Sequence, residues 1–192
     1  MFLRSNIMAA PRKDNVKELI LEATETLLQN KKISDISLAE IAKTAGVSKG
    51  TLFYHYKNKN ELMIDLTDKY LDLQYHDLIA WTEDASKDTS LHRLIKYVLE
   101  RDVSTVNMRL HFFYDAMLGN EDIREMLLAR YQEFATLIAG KIAERTDKID
   151  AEYLSWLILL LSDGLFIHKM LHNEDINIDA FIKQTAELGK LL

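Results

Sequence analysis

The chain of 192 residues contains no cysteine. This excludes a disulfide framework and any thiolate metal site or thiol nucleophile. Proline occurs once, at Pro11, and glycine six times. So few breakers, with apolar residues recurring every three to four positions, point to an all-α protein. No stretch alternates with period two, so no strand is expected. Long apolar runs are also missing. The longest, Trp156 to Leu161, stops at Ser162 and Asp163, far short of the ~20 residues a membrane span needs. The N-terminus has no apolar core of signal-peptide length, and Met8 is a second possible start. These absences lead us to expect a cytoplasmic protein without a membrane partner.

What is present is an ordinary globular composition, 48% hydrophobic and 28% charged, with a net charge of −6. The charge is unevenly spread. Residues 1–60 carry 10 basic and 6 acidic side chains, or +4; residues 61–192 carry 14 and 24, or −10. A basic head on an acidic body suits a protein that brings one end to phosphate.

The pattern predicts about nine helices. The first spans 16–30, with Val16, Leu19, Ile20, Ala23 and Leu27 on one face and a capping box at Asn15 and Glu18. Ser37 and Glu40 open a short second helix that Gly46 ends, supplying positive φ for a sharp turn. Ser48 caps a third helix, 48–56, and Asn58 with Glu61 caps a long fourth, 59–84. Further helices are expected at 90–106, 108–118, 121–146, 150–172 and 177–191. The domain boundary is placed near Asn58: a head over 12–58 and a helical body over 59–192.

Two short helices around Gly46 make a helix-turn-helix. The second of them enters the major groove and presents its first residues to base edges. It begins Ser48-Lys49-Gly50-Thr51. Gly50 lets the backbone approach DNA, and Lys49 and Thr51 reach bases or phosphates. Leu52 and Tyr56 should pack inward, leaving Tyr54 and His55 to donate to phosphate. Lys59 adds charge at the same edge. Arg4, Arg12 and Lys13 could act as a minor-groove arm or simply belong to a frayed terminus.

The run Val47-Ser48-Lys49-Gly50-Thr51-Leu52-Phe53-Tyr54-His55-Tyr56-Lys57-Asn58-Lys59 resembles the signature of TetR/AcrR-type transcriptional regulators. The resemblance covers about residues 12–65. It implies a three-helix DNA-binding domain and a larger helical domain that dimerises and binds a small effector. Carried over by position, it implies Lys49, Gly50 and Thr51 facing the groove. Tyr54, His55 and Lys59 would contact phosphate, with Ser37 at the N-terminus of the second helix. Phe53 stands where the family often has tyrosine, so it is expected to serve in packing. Ala39 offers no base-reading side chain.

In the body, 150–172 is apolar on more than one face, as for a helix buried in a core or an oligomer interface. With 177–191 it could pair with a symmetry mate as a four-helix interface, placing two recognition helices about 34 Å apart on a near-palindromic operator in double-stranded DNA. A pocket for a small, mostly apolar effector is expected among Tyr97, His111, Tyr114, Asp115, Tyr131 and Trp156. Core packing is the plain alternative for each, and Asp115, if buried, could meet a cationic ligand or His111. His168 and His172 sit four apart, with Asp163 and Glu174 close in sequence. Zinc needs three or four convergent ligands, and Lys169 replaces the Glu of a zinc-hydrolase helix. No catalytic residue, metal or cofactor is therefore assigned. The expected function is a homodimeric repressor that releases DNA on binding effector. Its rivals are a ligand-independent DNA-binding dimer run by a protein partner and a metal-dependent helical enzyme.

Overall fold

A computed structural model describes residues 13–104 and 106–192, with side chains described over 15–101 and 109–192. Among the described residues every regular element is helical. The described residues form nine α-helices: α1 (Lys13–Leu28), α2 (Leu38–Thr44), α3 (Lys49–His55), α4 (Lys59–Glu83), α5 (Leu91–Ser104), α6 (Val106–Met117), α7 (Glu121–Ala143), α8 (Ala151–Met170) and α9 (Ile178–Leu188), with one 3-10 turn at Ile33–Asp35.

The caps explain where the short helices sit. α2 and α3 have seven residues each, too few to hold together in water alone. Ser37 Oγ accepts from Glu40 N at 3.1 Å, and Ser48 Oγ from Thr51 N at 3.0 Å. Asn58 Oδ1 accepts from Glu61 N at 2.9 Å, while Glu61 Oε2 accepts from Lys57 N at 2.9 Å. Asn15 plays no such part, because it lies inside α1. Gly46, at φ +67, closes α2: Val47 N donates to Ala42 O and Gly46 N to Lys43 O. This crossed pair of bonds needs a left-handed residue between helix and turn.

The chain forms two compact units that divide between Leu66 and Thr67. The division falls inside α4, beyond Asn58, because Leu62, Met63 and Leu66 are fully buried and belong with the first unit. That unit closes over Val16, Ile20, Ile36, Ile41, Leu52 and Tyr56. In the second unit α8 packs on α5 and α7, and α9 on α5. Leu94, Val98, Ile138, Leu154, Ile158 and Ile182 lie at the centre of its core. α8 ends at Met170, and His172 beyond it takes the left-handed conformation, φ 50.

Candidate functional site

α3 has room for one buried stripe, and Leu52 and Tyr56 occupy it, 0% and 2% exposed. Lys17 lies over the Tyr56 ring at 5.9 Å and pairs with Asp65 at 2.6 Å, fixing the inner face of α3 between α1 and α4. The opposite face carries Lys49, Gly50, Phe53 and Tyr54, all exposed. Phe53 departs from its expected packing role: it is 51% exposed and stands beside Tyr54 at 70%. Positions 49, 50, 53 and 54 fall together on the outer side of a 3.6-residue helix, so Phe53 cannot reach the core.

The hydroxyls at the start of α3 are already engaged. Thr51 Oγ1 lies 2.8 Å from Ser48 Oγ, which also caps the helix. Ser48 and Ser37 are exposed, Thr51 and His55 half-buried, and the His55 ring meets the Tyr54 ring edge-on at 5.3 Å. Gly50 has open space around it; an added Cβ would meet only Ser48 Oγ, at 3.7 Å. Lys59 is placed differently. Its ammonium donates to Ile33 O at 3.0 Å, Ser34 O at 3.4 Å and Ile36 O at 3.1 Å. It clasps the connector between α1 and α2 from the start of α4. Ala39 is half-buried. Arg4 and Arg12 lie outside the described residues, as does the side chain of Lys13.

The second unit holds a cavity of about 60 Å³, several times the space one water requires. Of Tyr97, His111, Tyr114, Asp115, Tyr131 and Trp156, only Tyr131 lines it. Tyr97 instead stacks on Trp81 at 4.4 Å, and its hydroxyl donates to Asp77 O at 3.3 Å. Tyr114 is 56% exposed. His111, Asp115 and Trp156 are half-buried away from the cavity. Phe112, Phe113 and Phe134 form its walls with Leu71, Leu127 and Leu159.

Its polar lining is Tyr70, Gln74, Arg101, Arg109, Arg130 and Tyr131. The sequence reading missed the three arginines and Gln74. The signal was there: Arg101 is in helical register with Leu94 and Val98, Arg109 with Phe112 and Phe113, Arg130 with Leu127 and Phe134. Arg109 pairs with Asp163 and lies over the Phe113 and Phe166 rings. Tyr131 donates to the same Asp163 at 2.7 Å. Burial, with the Asp163 charge beside it, pushes the Tyr131 phenol well above its ordinary range. Arg130 binds Asp68 at 2.6 Å and Asp72 at 2.7 Å on α4, and Glu133 at 2.9 Å. Burial works against its charge, yet those bonds hold its pKa above that of a free arginine. Arg101 Nη1 donates to the Gln74 backbone carbonyl at 2.8 Å, and its guanidinium lies over Tyr97 and Phe134.

The histidine pair at the end of α8 is separated by the helix end. His168 Nδ1 meets Asn173 Nδ2 at 2.9 Å, while His172 sits in the turn. Among the described residues no group of three or more His, Asp or Glu converges as a metal site would require.

Comparison with known proteins agrees with this geometry. The family model for bacterial regulatory proteins of the tetR family matches residues 20–66, from α1 to the buried start of α4. The HTH-type transcriptional regulator TtgR of Pseudomonas putida is 23% identical over 185 residues, covering 88% of this chain and 87% of that protein. Among solved structures, a TetR transcription regulator from Haloarcula marismortui superposes with a TM-score of 0.74 at 18% identity, over 92% of this chain and 96% of that one. A transcriptional regulator from Saccharomonospora viridis, in complex with choline, gives 0.76 at 18% identity, over 91% and 94%. With the capped helix-turn-helix of the first unit, these matches assign residues 20–66 to the DNA-binding domain of the tetR family of bacterial regulators, and the chain as a whole is similar to TetR-type transcriptional regulators.

Proposed function

We propose that this regulator is a homodimeric repressor that binds a near-palindromic operator through α3 and leaves it when a small, mostly apolar effector enters the cavity of the second unit. The observation that carries the reading is the outer face of α3. A seven-residue helix capped at Ser48 presents Lys49, Gly50, Phe53 and Tyr54 outward on a fully buried base.

In this reading residues 12–58 form the core of the DNA-binding head and the rest the effector and dimer domain. Ser37, Ser48, Thr51, Tyr54 and His55 supply phosphate contacts and fix register; Lys49 and the bare backbone at Gly50 approach the bases. Phe53, exposed on the same face, suits the methyl group of a thymine. Lys59 serves as a brace: its ammonium is held by three carbonyls, so it sets the position of the connector and its charge is not directed at phosphate.

The partner face lies on α8 and α9. Over α8 an 18-residue window reaches a mean hydropathy of 1.2, yet only 39% of it is buried in the monomer. Its uncovered apolar residues fall at Tyr153, Leu157, Leu160, Ile167 and Leu171, with Gly164 in the same stripe. This is the spacing of a helix-on-helix seam, and Leu188 and Leu191 extend it beside α9. Covering the stripe with a second copy gives the four-helix interface expected of 150–172 and 177–191, in a soluble cytoplasmic dimer. The choline bound in the Saccharomonospora viridis regulator and the stearoyl-CoA bound in the FadR regulator of Bacillus subtilis support small-molecule control of this fold. The cavity here favours effector control over a dimer run only by a protein partner. α4 bears both Lys59 and the cavity residue Gln74, so it is the natural transmitter. Coupling of about 1–3 kcal/mol between sites would change operator affinity roughly 5–150-fold.

The test is operator affinity as a function of salt for Lys49→Ala and Tyr54→Phe. Each should weaken binding; unchanged affinity in both would remove α3 as the reading element.

A further inference from the structure

We infer that the cavity of the second unit is held shut by a clasp, Arg130 of α7 on Asp68 and Asp72 of α4, and that a ligand enters by parting α4 from α7. This rests on the effector reading of the cavity and adds the gate through which the effector is admitted.

The cavity is small. It holds about 60 Å³, whereas a cavity that takes benzene has roughly 150 Å³. Even one aromatic ring therefore requires a wall to move. Close packing makes most of the walls stiff. α8 packs along α5 and α7, α9 along α5, and α6 along α7. Among the described residues α4 approaches no helix of the second unit as closely, although it supplies Tyr70, Leu71 and Gln74 to the lining. It is the wall that yields.

Side chains tie α4 in place. Arg130 Nη2 donates to Asp68 Oδ1 at 2.6 Å and to Asp72 Oδ1 at 2.7 Å. The two acids are four residues apart on one face of α4, so a single guanidinium grips a full turn of that helix. Arg130 Nη1 donates to Glu133 Oε2 on its own helix at 2.9 Å, which orients the fork. The Arg130 side chain also lines the cavity, so a ligand that fills the space presses on the clasp itself. The far end of α4 is fixed in another way. Trp81 stacks on Tyr97 of α5 at 4.4 Å, and the Tyr97 hydroxyl donates to Asp77 O at 3.3 Å. α4 thus pivots near Trp81 and opens at Asp68 and Asp72. Only the open fraction binds ligand, so the clasp lowers the apparent affinity by that fraction.

The test uses benzene, a neutral apolar probe, with the full-length protein. Binding is read by calorimetry and opening by hydrogen exchange of peptides from α4. Benzene should speed exchange over residues 68–76 and leave α8 unchanged. Asp68→Asn combined with Asp72→Asn removes the charges that Arg130 grips without altering the lining. In that protein α4 should exchange about threefold faster or more without benzene, the value of two partly exposed ion pairs. Benzene should bind it more tightly by a similar factor. Arg130→Lys, a point charge in place of a fork, should fall between. Arg124→Gln, whose partner Glu121 lies on the same helix, should change nothing. Both aspartates are about half exposed, at 52% and 51%, so the double variant should fold, and the wild-type response to benzene needs no variant. Unchanged α4 exchange in the folded double variant would overturn the clasp. So would benzene binding to the wild type without faster α4 exchange, or faster exchange in the variant without tighter benzene binding. Failure of the effector reading would look different: benzene would fill the cavity and open α4 while operator affinity stayed the same.

Discussion

Gly50 lies within α3, where glycine costs about 1 kcal/mol relative to alanine, and nothing nearby crowds the position. A methyl there would meet only Ser48 Oγ at 3.7 Å. Gly50→Ala should therefore raise stability by about 0.4–1 kcal/mol in a denaturant titration while weakening operator binding. Stability and affinity moving together would show that Gly50 is not held bare for DNA. Lys59 makes the converse case. Lys59→Met strips three carbonyls of their donor and should lower stability by roughly 1–3 kcal/mol, leaving the salt dependence of DNA binding unchanged. Lys49→Ala should reduce that slope by about 1. Two phenols give a pH signature. Burial first, and the charges of Asp65 and Asp163 second, raise the pKa of Tyr56 and Tyr131. The fold thus favours the protonated phenols. Their contribution to stability is complete below the ordinary tyrosine pKa of about 10 and declines as pH rises past it. Phenolate absorbance should show both ionising only as the protein unfolds. Reversible ionisation of every tyrosine near pH ~10 in folded protein would contradict this.

At the scale of the element, helix ends follow from local chemistry, and that is why the sequence spoke clearly about them. Ser37, Ser48 and Asn58 each cap within three residues, and Gly46 turns the chain with its own φ. Asn15 looked equally like a cap, but helix continues upstream of it. Phe53 misled because an aromatic reads as core, whereas a seven-residue helix has one inner stripe and Leu52 with Tyr56 already fill it. The cavity lining was least legible. Which aromatic points at which helix depends on rotations set by tertiary packing, and arginine on an inner stripe reads at first as a long side chain snorkelling to water. One helix end carries strain. His172 occupies the left-handed position that Asn173 N and His172 N close over α8, donating to His168 O and Lys169 O. Replacing it with glycine should add up to about 1 kcal/mol, read as a raised midpoint of thermal unfolding. An unchanged or lowered midpoint would mean the histidine makes contacts worth more than its strain.

At the scale of the whole molecule, the proposed repressor recognises its operator with two copies acting together, because one α3 offers few groups that read bases. In that proposal the α8 stripe joins the copies. Placing a charge in its middle, with Leu160→Lys, puts an ammonium where a second copy should cover a residue that is 64% exposed in the monomer. Sedimentation should show the variant as a monomer with its helical content intact, and operator affinity should fall with it; a dimer of unchanged strength would move the interface elsewhere. The account as a whole is tested most directly by selecting fragments bound by the purified protein from random double-stranded DNA. It predicts a two-fold symmetric consensus with paired half-sites. Failure to enrich any sequence, or a single unpaired site bound by one copy, would contradict it.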